Sequence, residues 1–219
     1  MNSLIDIRYQ VLAELKKTEV IKSLLQDKPS KNAYISYLTS VYQYAQHSPK
    51  VIALAASRCI NTHPELARYL LHHAEEEQGH DAWALEDLRE LNVDEVTVKS
   101  AYPLPACASM IGFIYYTAAF ANPVSLFGWM YVLEAIGNDL GTIAANKLDK
   151  GLNLSDRALR FVAGHGISDE EHTADLTQQI SKYMSDPQDM ADTLHVAQVI
   201  AKLYVEMFQE ISGELVPCL

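Results

Sequence analysis

An all-α fold is the class this sequence predicts, and three observations predict it. Apolar residues recur at helical period along almost the whole chain. No stretch has the alternation of a strand or the turn chemistry of a hairpin, and no internal repeat is present. No linker is long or polar enough to divide the 219 residues, so residues 1–219 are expected to form a single helical-bundle domain.

Taken in order, the first helix is expected from Asn2 or Ser3 to about Gln26, with Leu4, Val11, Leu12, Leu15, Ile21 and Leu25 as its apolar stripe. Asp27-Lys28-Pro29-Ser30 breaks it, and Ser30 is suited to cap a second helix running to His47. Ser48-Pro49 reads as a cap followed by proline, after which the same direction resumes, kinked, through Cys59. A third helix opens with His63-Pro64-Glu65 and extends to about Leu91. A short connection leads to a fourth helix (about 105–121) and a fifth (about 124–150), then to a short piece from Ser155 into Gly164. The sixth runs to about Met184, where Ser185-Asp186-Pro187 ends it. The last covers about 188–213, burying Leu194, Ala197, Ile200, Ala201, Tyr204 and Phe208.

Composition narrows the function classes. With 49% hydrophobic and 21% charged residues the chain is an ordinary globular sequence, and its net charge of −11 argues against nucleic-acid binding. Cys59, Cys107 and Cys218 are odd in number and form no CxxC pair, which suits a reducing cytoplasm. The N-terminal residues lack the layout of a signal peptide. Ser100 to Leu133 carries no charge, but Pro103, Pro105 and Asn122-Pro123 divide it into pieces too short to span a bilayer. Buried helices, not a membrane segment, are therefore expected there.

The chemistry lies where polar residues occupy core positions. In His165-Gly166-Ile167-Ser168-Asp169-Glu170-Glu171-His172, the residues His165, Asp169 and His172 fall at i, i+4 and i+7 on one helix face. Two imidazoles and a carboxylate on one face suit a divalent transition metal. On the third helix the stripe Leu66, Leu70, His73, Glu77, His80, Ala84, Leu91 is apolar at its ends and polar in its middle. A buried carboxylate costs several kcal/mol unless paired, so that middle calls for a partner. Glu77-x-x-His80 has the spacing with which di-metal carboxylate bundles aim two ligands inward. His72, Glu75 and Glu76 fall off the stripe and read as a solvated face. Glu134, the first charge after Lys99, sits alone in an apolar helix near Gly137 and Gly141. His47 is a further candidate ligand, sharing the end of the second helix with Gln43; His73 is another.

The candidate metal set is therefore Glu77, His80, Glu134, His165, Asp169 and His172, with His47 or His73 as extras. Imidazole and carboxylate without thiolate suit non-haem iron or manganese, with zinc as the tighter competitor. Six or more candidates exceed the needs of one ion, so two ions are expected as readily as one. Glu77 and Glu134 are the natural bridging, catalytic carboxylates.

Glu77-x-x-His80, then the lone Glu134, then His165-x-x-x-Asp169-x-x-His172 resembles, in order, the haem-oxygenase-like di-iron oxidases and oxygenases, the iron-containing redox enzymes that share a fold with TenA and PqqC. The resemblance implies a seven-helix bundle that uses iron to activate dioxygen and oxidise a small, partly apolar substrate. Dioxygen and a small molecule are the implied partners; a homodimer is a candidate assembly. The substrate is expected along Gln43, Tyr115, Tyr116, Phe120 and Trp129. Two departures stand out. The family commonly carries a glutamate where this chain offers Gln43 and His47, and the lysine that tyrosine-sacrificing relatives need soon after the helix-five glutamate is absent, Lys147 being the nearest.

Competing readings remain. Haem is not expected, because residues 2–26 contain no histidine to serve as axial ligand. A metal-free TenA- or PqqC-like enzyme acting on a heterocycle or cofactor precursor, a metal-stapled non-enzymatic bundle, and a ferritin-like four-helix bundle are the alternatives.

Overall fold

The computed structural model describes residues 3–213, apart from the side chains of residues 165–174. The described residues form eleven α-helices and two 3-10 turns, with no strand. These are α1 (Leu4–Leu15), α2 (Glu19–Leu25), α3 (Lys31–Ala45), α4 (Ser48–Cys59), α5 (Pro64–Glu76), α6 (His80–Glu90), α7 (Glu95–Ser100), α8 (Pro105–Phe120), α9 (Phe127–Leu152), α10 (Arg160–Tyr183) and α11 (Pro187–Ser212), with 3-10 turns at Pro123–Leu126 and Asp156–Leu159. No helix among the described residues is long and apolar enough to cross a membrane.

The count exceeds the seven helices expected, because three of the longer segments are divided, one of them at the expected kink, and a short helix is added. Thr18 ends α1 by donating its hydroxyl to Leu15 O at 2.7 Å and stands at the N-cap of α2. The expected third helix is interrupted at Gly79, whose φ of +94° is a left-handed conformation that only glycine adopts without strain. Glu77 consequently closes α5 and His80 opens α6, rather than both riding one continuous helix. In the expected connection, Asp94 accepts the Thr97 N–H at 2.9 Å and starts α7. Beyond Ser155 only a single 3-10 turn forms before α10, which then runs unbroken through Gly164 and Gly166.

Several ends follow from their cap residues. Ser3 and Asp6 form a capping box, Ser30 accepts the Ala33 N–H at 3.2 Å, and Asp186 accepts from Gln188 and Asp189 ahead of Pro187. His47, one residue earlier than expected, is the N-cap of α4, leaving Ser48 and Pro49 in its first turn.

One continuous cluster of buried apolar side chains runs from Leu4 to Phe208. Its axis is α9, against which α10, α11, α1 and α2 pack. Arg8 holds α1 to α9 through a two-armed ion pair with Asp139, its Nε donating at 2.7 Å. The close approach of α9 and α11 depends on Gly128, where a β-carbon would meet the backbone of Thr193 and Ala197.

Asp87, fully buried on α6, joins that helix to the start of α10 by accepting the Phe161 N–H at 2.9 Å. Burial pushes its carboxyl up to about 7, the Phe161 and Arg160 backbone amides opposing the shift only in part. The folded state therefore holds a proton that the unfolded chain has released, so this group's stabilisation is complete below about pH 4 and is lost as pH rises through about 7. The slope it contributes approaches about 1.4 kcal/mol per pH unit in that window. D87N keeps an acceptor for Phe161 and is expected to flatten the fall in melting temperature between pH 5 and 7.5. An unchanged slope in the variant would place the pH dependence elsewhere.

Candidate functional site

The polar middle of the α5–α6 stripe meets α9 at one end of an internal cavity. The apolar ends of the stripe, Leu66, Leu70, Ala84 and Leu91, are buried as expected, and His73 is only 5% exposed. His72, Glu75 and Glu76 face solvent. His73, Glu77 and Glu134 each offer one ligand atom, and these atoms lie within 4.8 Å of one another. Two metal–ligand bonds of about 2.1 Å span about 4.2 Å at most, so a sub-ångström side-chain adjustment would place all three on one ion. His73 is buried and the two carboxylates are half-buried.

The stereochemistry behind this cluster is simple. His73 and Glu77 are one turn apart at the end of α5, with His73 Nε2 3.8 Å from Glu77 Oε1. Because Gly79 turns the chain rather than ending the stripe, His80 stays beside Glu77, its Nδ1 3.3 Å from Glu77 Oε2. The Trp83 ring packs on His80 with centroids 4.7 Å apart, and the Arg160 guanidinium lies over that ring at 5.1 Å. On the other side Tyr69 stacks on His73 at 5.9 Å and tilts against Phe127. Burial, with Asp175 and Glu134 adding their charge, raises the Tyr69 phenol well above its ordinary range, so it stays protonated.

Of the expected site residues, Glu77, Glu134 and His80 line the cavity, and so does Trp129. The side chains of His165, Asp169 and His172 lie outside the described residues. The remaining expected residues stand apart from the cavity lining. His47 turns its Nδ1 to the Tyr115 hydroxyl at 3.0 Å, and burial, followed by the Lys50 charge, lowers the imidazole below its usual value. Gln43 donates its amide to Val98 O and Ala101 O at 3.2 and 3.0 Å, tying down the end of α7. Tyr116 and Phe120 pack together on the outer face of α8, 58% and 78% exposed. The uncharged stretch around α8 thus covers the core with one face and meets water with the other.

His73 is the residue that spacing alone left as an extra. Its signal was present: it lies at i−4 to Glu77 on the same buried stripe, one turn back toward Leu70.

The cavity has room for about 150 Å³ of centres of water-sized occupants and opens to solvent. It runs between α3 and α9, and beyond the polar cluster its lining is apolar and aromatic. Cys107 does not line it. That thiol is fully buried, 3.7 Å from Ser40 O, and burial pushes it up to about 12.

Comparison with known proteins agrees with this architecture. A domain of unknown function with a haem-oxygenase-like fold from Shewanella denitrificans superposes with a TM-score of 0.88 at 24% identity, over 98% of this chain and 94% of that one. A TenA homologue from Pseudomonas syringae pv. tomato gives 0.80 at 13% identity, over 97% and 91%. A CADD-like protein of unknown function from Nostoc punctiforme gives 0.73 at 18% identity, over 96% of each chain. At these identities the likeness establishes the haem-oxygenase-like fold. No curated protein matches the chain in sequence. The model of the iron-containing redox enzyme family, however, matches residues 35–205, which takes in α3 through most of α11 and the whole His73–Glu77–Glu134 cluster, and the chain belongs to that family.

Proposed function

We propose that the protein is a non-haem iron oxidase or oxygenase that uses dioxygen to oxidise a small, partly apolar organic substrate. The observation that carries this reading is the convergence of His73, Glu77 and Glu134 at the head of an otherwise apolar cavity. Two half-buried carboxylates held this close repel each other and are poorly solvated, a cost that a cation removes. Nitrogen and oxygen donors without thiolate fit iron or manganese, with zinc competing. Glu77, with His73 Nε2 3.8 Å and His80 Nδ1 3.3 Å from its carboxylate oxygens, would hold the ion together with His73 and Glu134.

His165, Asp169 and His172 are assigned as the ligands of a second ion, because α10 packs along α9 and against α6, the two helices that carry Glu134 and His80. Bound iron would supply the electrons that activate dioxygen and the oxidising equivalents passed to substrate. The chain's own residues do the rest. Trp83 and Tyr69 hold the imidazoles in place, and the apolar walls exclude water and orient the substrate. The raised Tyr69 phenol keeps its proton beside the cluster rather than adding a third negative charge.

A thiol-based reading in the manner of a hydrolase has less support, since a buried Cys107 raised to about 12 is a poor nucleophile. Anaerobic titration of metal-stripped protein with ferrous iron tests the proposal. One or two tightly bound ions per chain are expected, together with substrate-dependent oxygen consumption on mixing with air. H73A and H165A are each expected to reduce the bound iron with the fold intact by circular dichroism. Wild-type protein that retains no iron would end this reading.

A further inference from the structure

We propose that Trp83 is a positioning residue for the second ion: its indole is the spacer that sets how far α10 stands from α6, and so whether the α10 donors can share that ion with His80. This rests on the function proposed above, because it takes His165, Asp169 and His172 as the donors on α10.

The start of α10 is keyed to one face of α6. Trp83, Glu86 and Asp87 fall at i, i+3 and i+4 on that face. Glu86 pairs with Arg160, and Asp87 accepts the Phe161 N–H at 2.9 Å. Trp83 meets both Arg160 and Gly164, which are one turn apart on α10. The Arg160 guanidinium lies over its ring at 5.1 Å. Gly164 leaves the ring the room that a side chain would take, since a β-carbon there would stand 3.2 Å from Cζ3 and 3.6 Å from Cε3 of Trp83.

The same ring rests on His80, with centroids 4.7 Å apart and planes inclined at 44°. One side chain thus links a candidate donor on α6 to Gly164, the residue that precedes His165 in the chain.

A misfit at this junction is felt by a bound ion before it is felt by the fold. A separation of 3.2 Å lies about 0.3 Å inside the optimum of about 3.5–4.0 Å between carbon atoms, an overlap that packed helices relieve by a small shift. Metal–ligand distances hold to within about 0.2 Å, so a shift of that size takes a donor out of range. Packing alone gives no reason for the number of bound ions to follow the combined size of residues 83 and 164.

Metal-stripped wild type, G164A, W83F and the double variant W83F/G164A, each titrated anaerobically with cobalt(II), test the assignment through metal content and visible absorption. Wild type is expected to bind two ions per chain. G164A adds a methyl group and W83F shortens the aromatic system. Each is expected to weaken the second ion by about 10- to 100-fold, the range for supporting groups around a metal, and to keep the first. In the double variant the methyl takes up part of the space that the indole leaves, so affinity for the second ion is expected to return to within about threefold of wild type. G112A, at a helical glycine with nothing within 4 Å of an added β-carbon, is expected to leave both ions in place. Urea unfolding of the same metal-free proteins reads the contact without any ion, and the two single losses are expected to be non-additive.

A second ion bound equally well by wild type and by folded G164A and W83F overturns the proposal, and so does a double variant no better than the worse single one. If G164A does not fold, W83F alone gives the first of these results. A single ion in wild type overturns this proposal and leaves the iron reading standing, whereas no ion at all ends both.

Discussion

Replacing Glu134 with leucine is expected to lower ferrous iron affinity by at least about 100-fold. Glu134 is the carboxylate that α9 brings to the cluster with His73 and Glu77, so without it the cluster loses one of its three donors. Loss of a supporting group around a metal site already costs about 10- to 100-fold, and loss of a direct donor costs more. Isothermal titration of the stripped protein with iron reads the effect, and urea unfolding checks that the variant is folded. Should E134L bind iron like the wild type, Glu134 is not a ligand.

Gly128→Ala is the substitution expected to damage the fold most. Alanine is the better helix former by about 1 kcal/mol, so at an exposed helical site the exchange would stabilise. At this site the new β-carbon would stand 2.3 Å from Thr193 O and 2.7 Å from Ala197 N, both backbone atoms of α11. Backbone cannot rotate aside as a side chain can, so α9 and α11 must separate. Overpacking of this kind costs typically about 1–3 kcal/mol and more where the obstacle is rigid. A loss of about 3 kcal/mol in urea unfolding is expected, with G137A, which faces the cavity instead, much milder. Equal stability of the two variants would mean that the α9–α11 crossing is looser than its geometry.

The helix that carries the cluster shows how far local pattern reaches. The stripe from Leu66 to Leu91 marks the buried face correctly through a change of helix, since His73 and Ala84 are inside while His72, Glu75 and Glu76 are outside. The interruption at Gly79 was itself legible, because glycine after a run of helix-compatible residues is the usual C-terminal signal. The apolar stripe continues in register on both sides of it, so periodicity alone describes one helix. Gln43 shows the opposite case. Polarity on a helix face said only that it needs partners, and those turned out to be two carbonyls at the end of α7 rather than anything in the cavity. Tyr116 and Phe120 belong to a stretch so uniformly uncharged that periodicity could not distinguish its wet face from its dry one.

What the sequence by itself determined is the all-helical class, the position of most helix ends, and the places where ionisable groups interrupt an apolar stripe. All of these are written in residues three or four apart, whose relation the helix sets before anything packs. Which helices meet was decided only by the tertiary structure. That His73 and Glu77 face Glu134, that Trp129 lines the cavity while Tyr116 does not, and that α3 and α9 leave a slot between them all depend on crossings such as the one at Gly128. Such crossings join residues far apart in the chain through shape, and no local spacing records them.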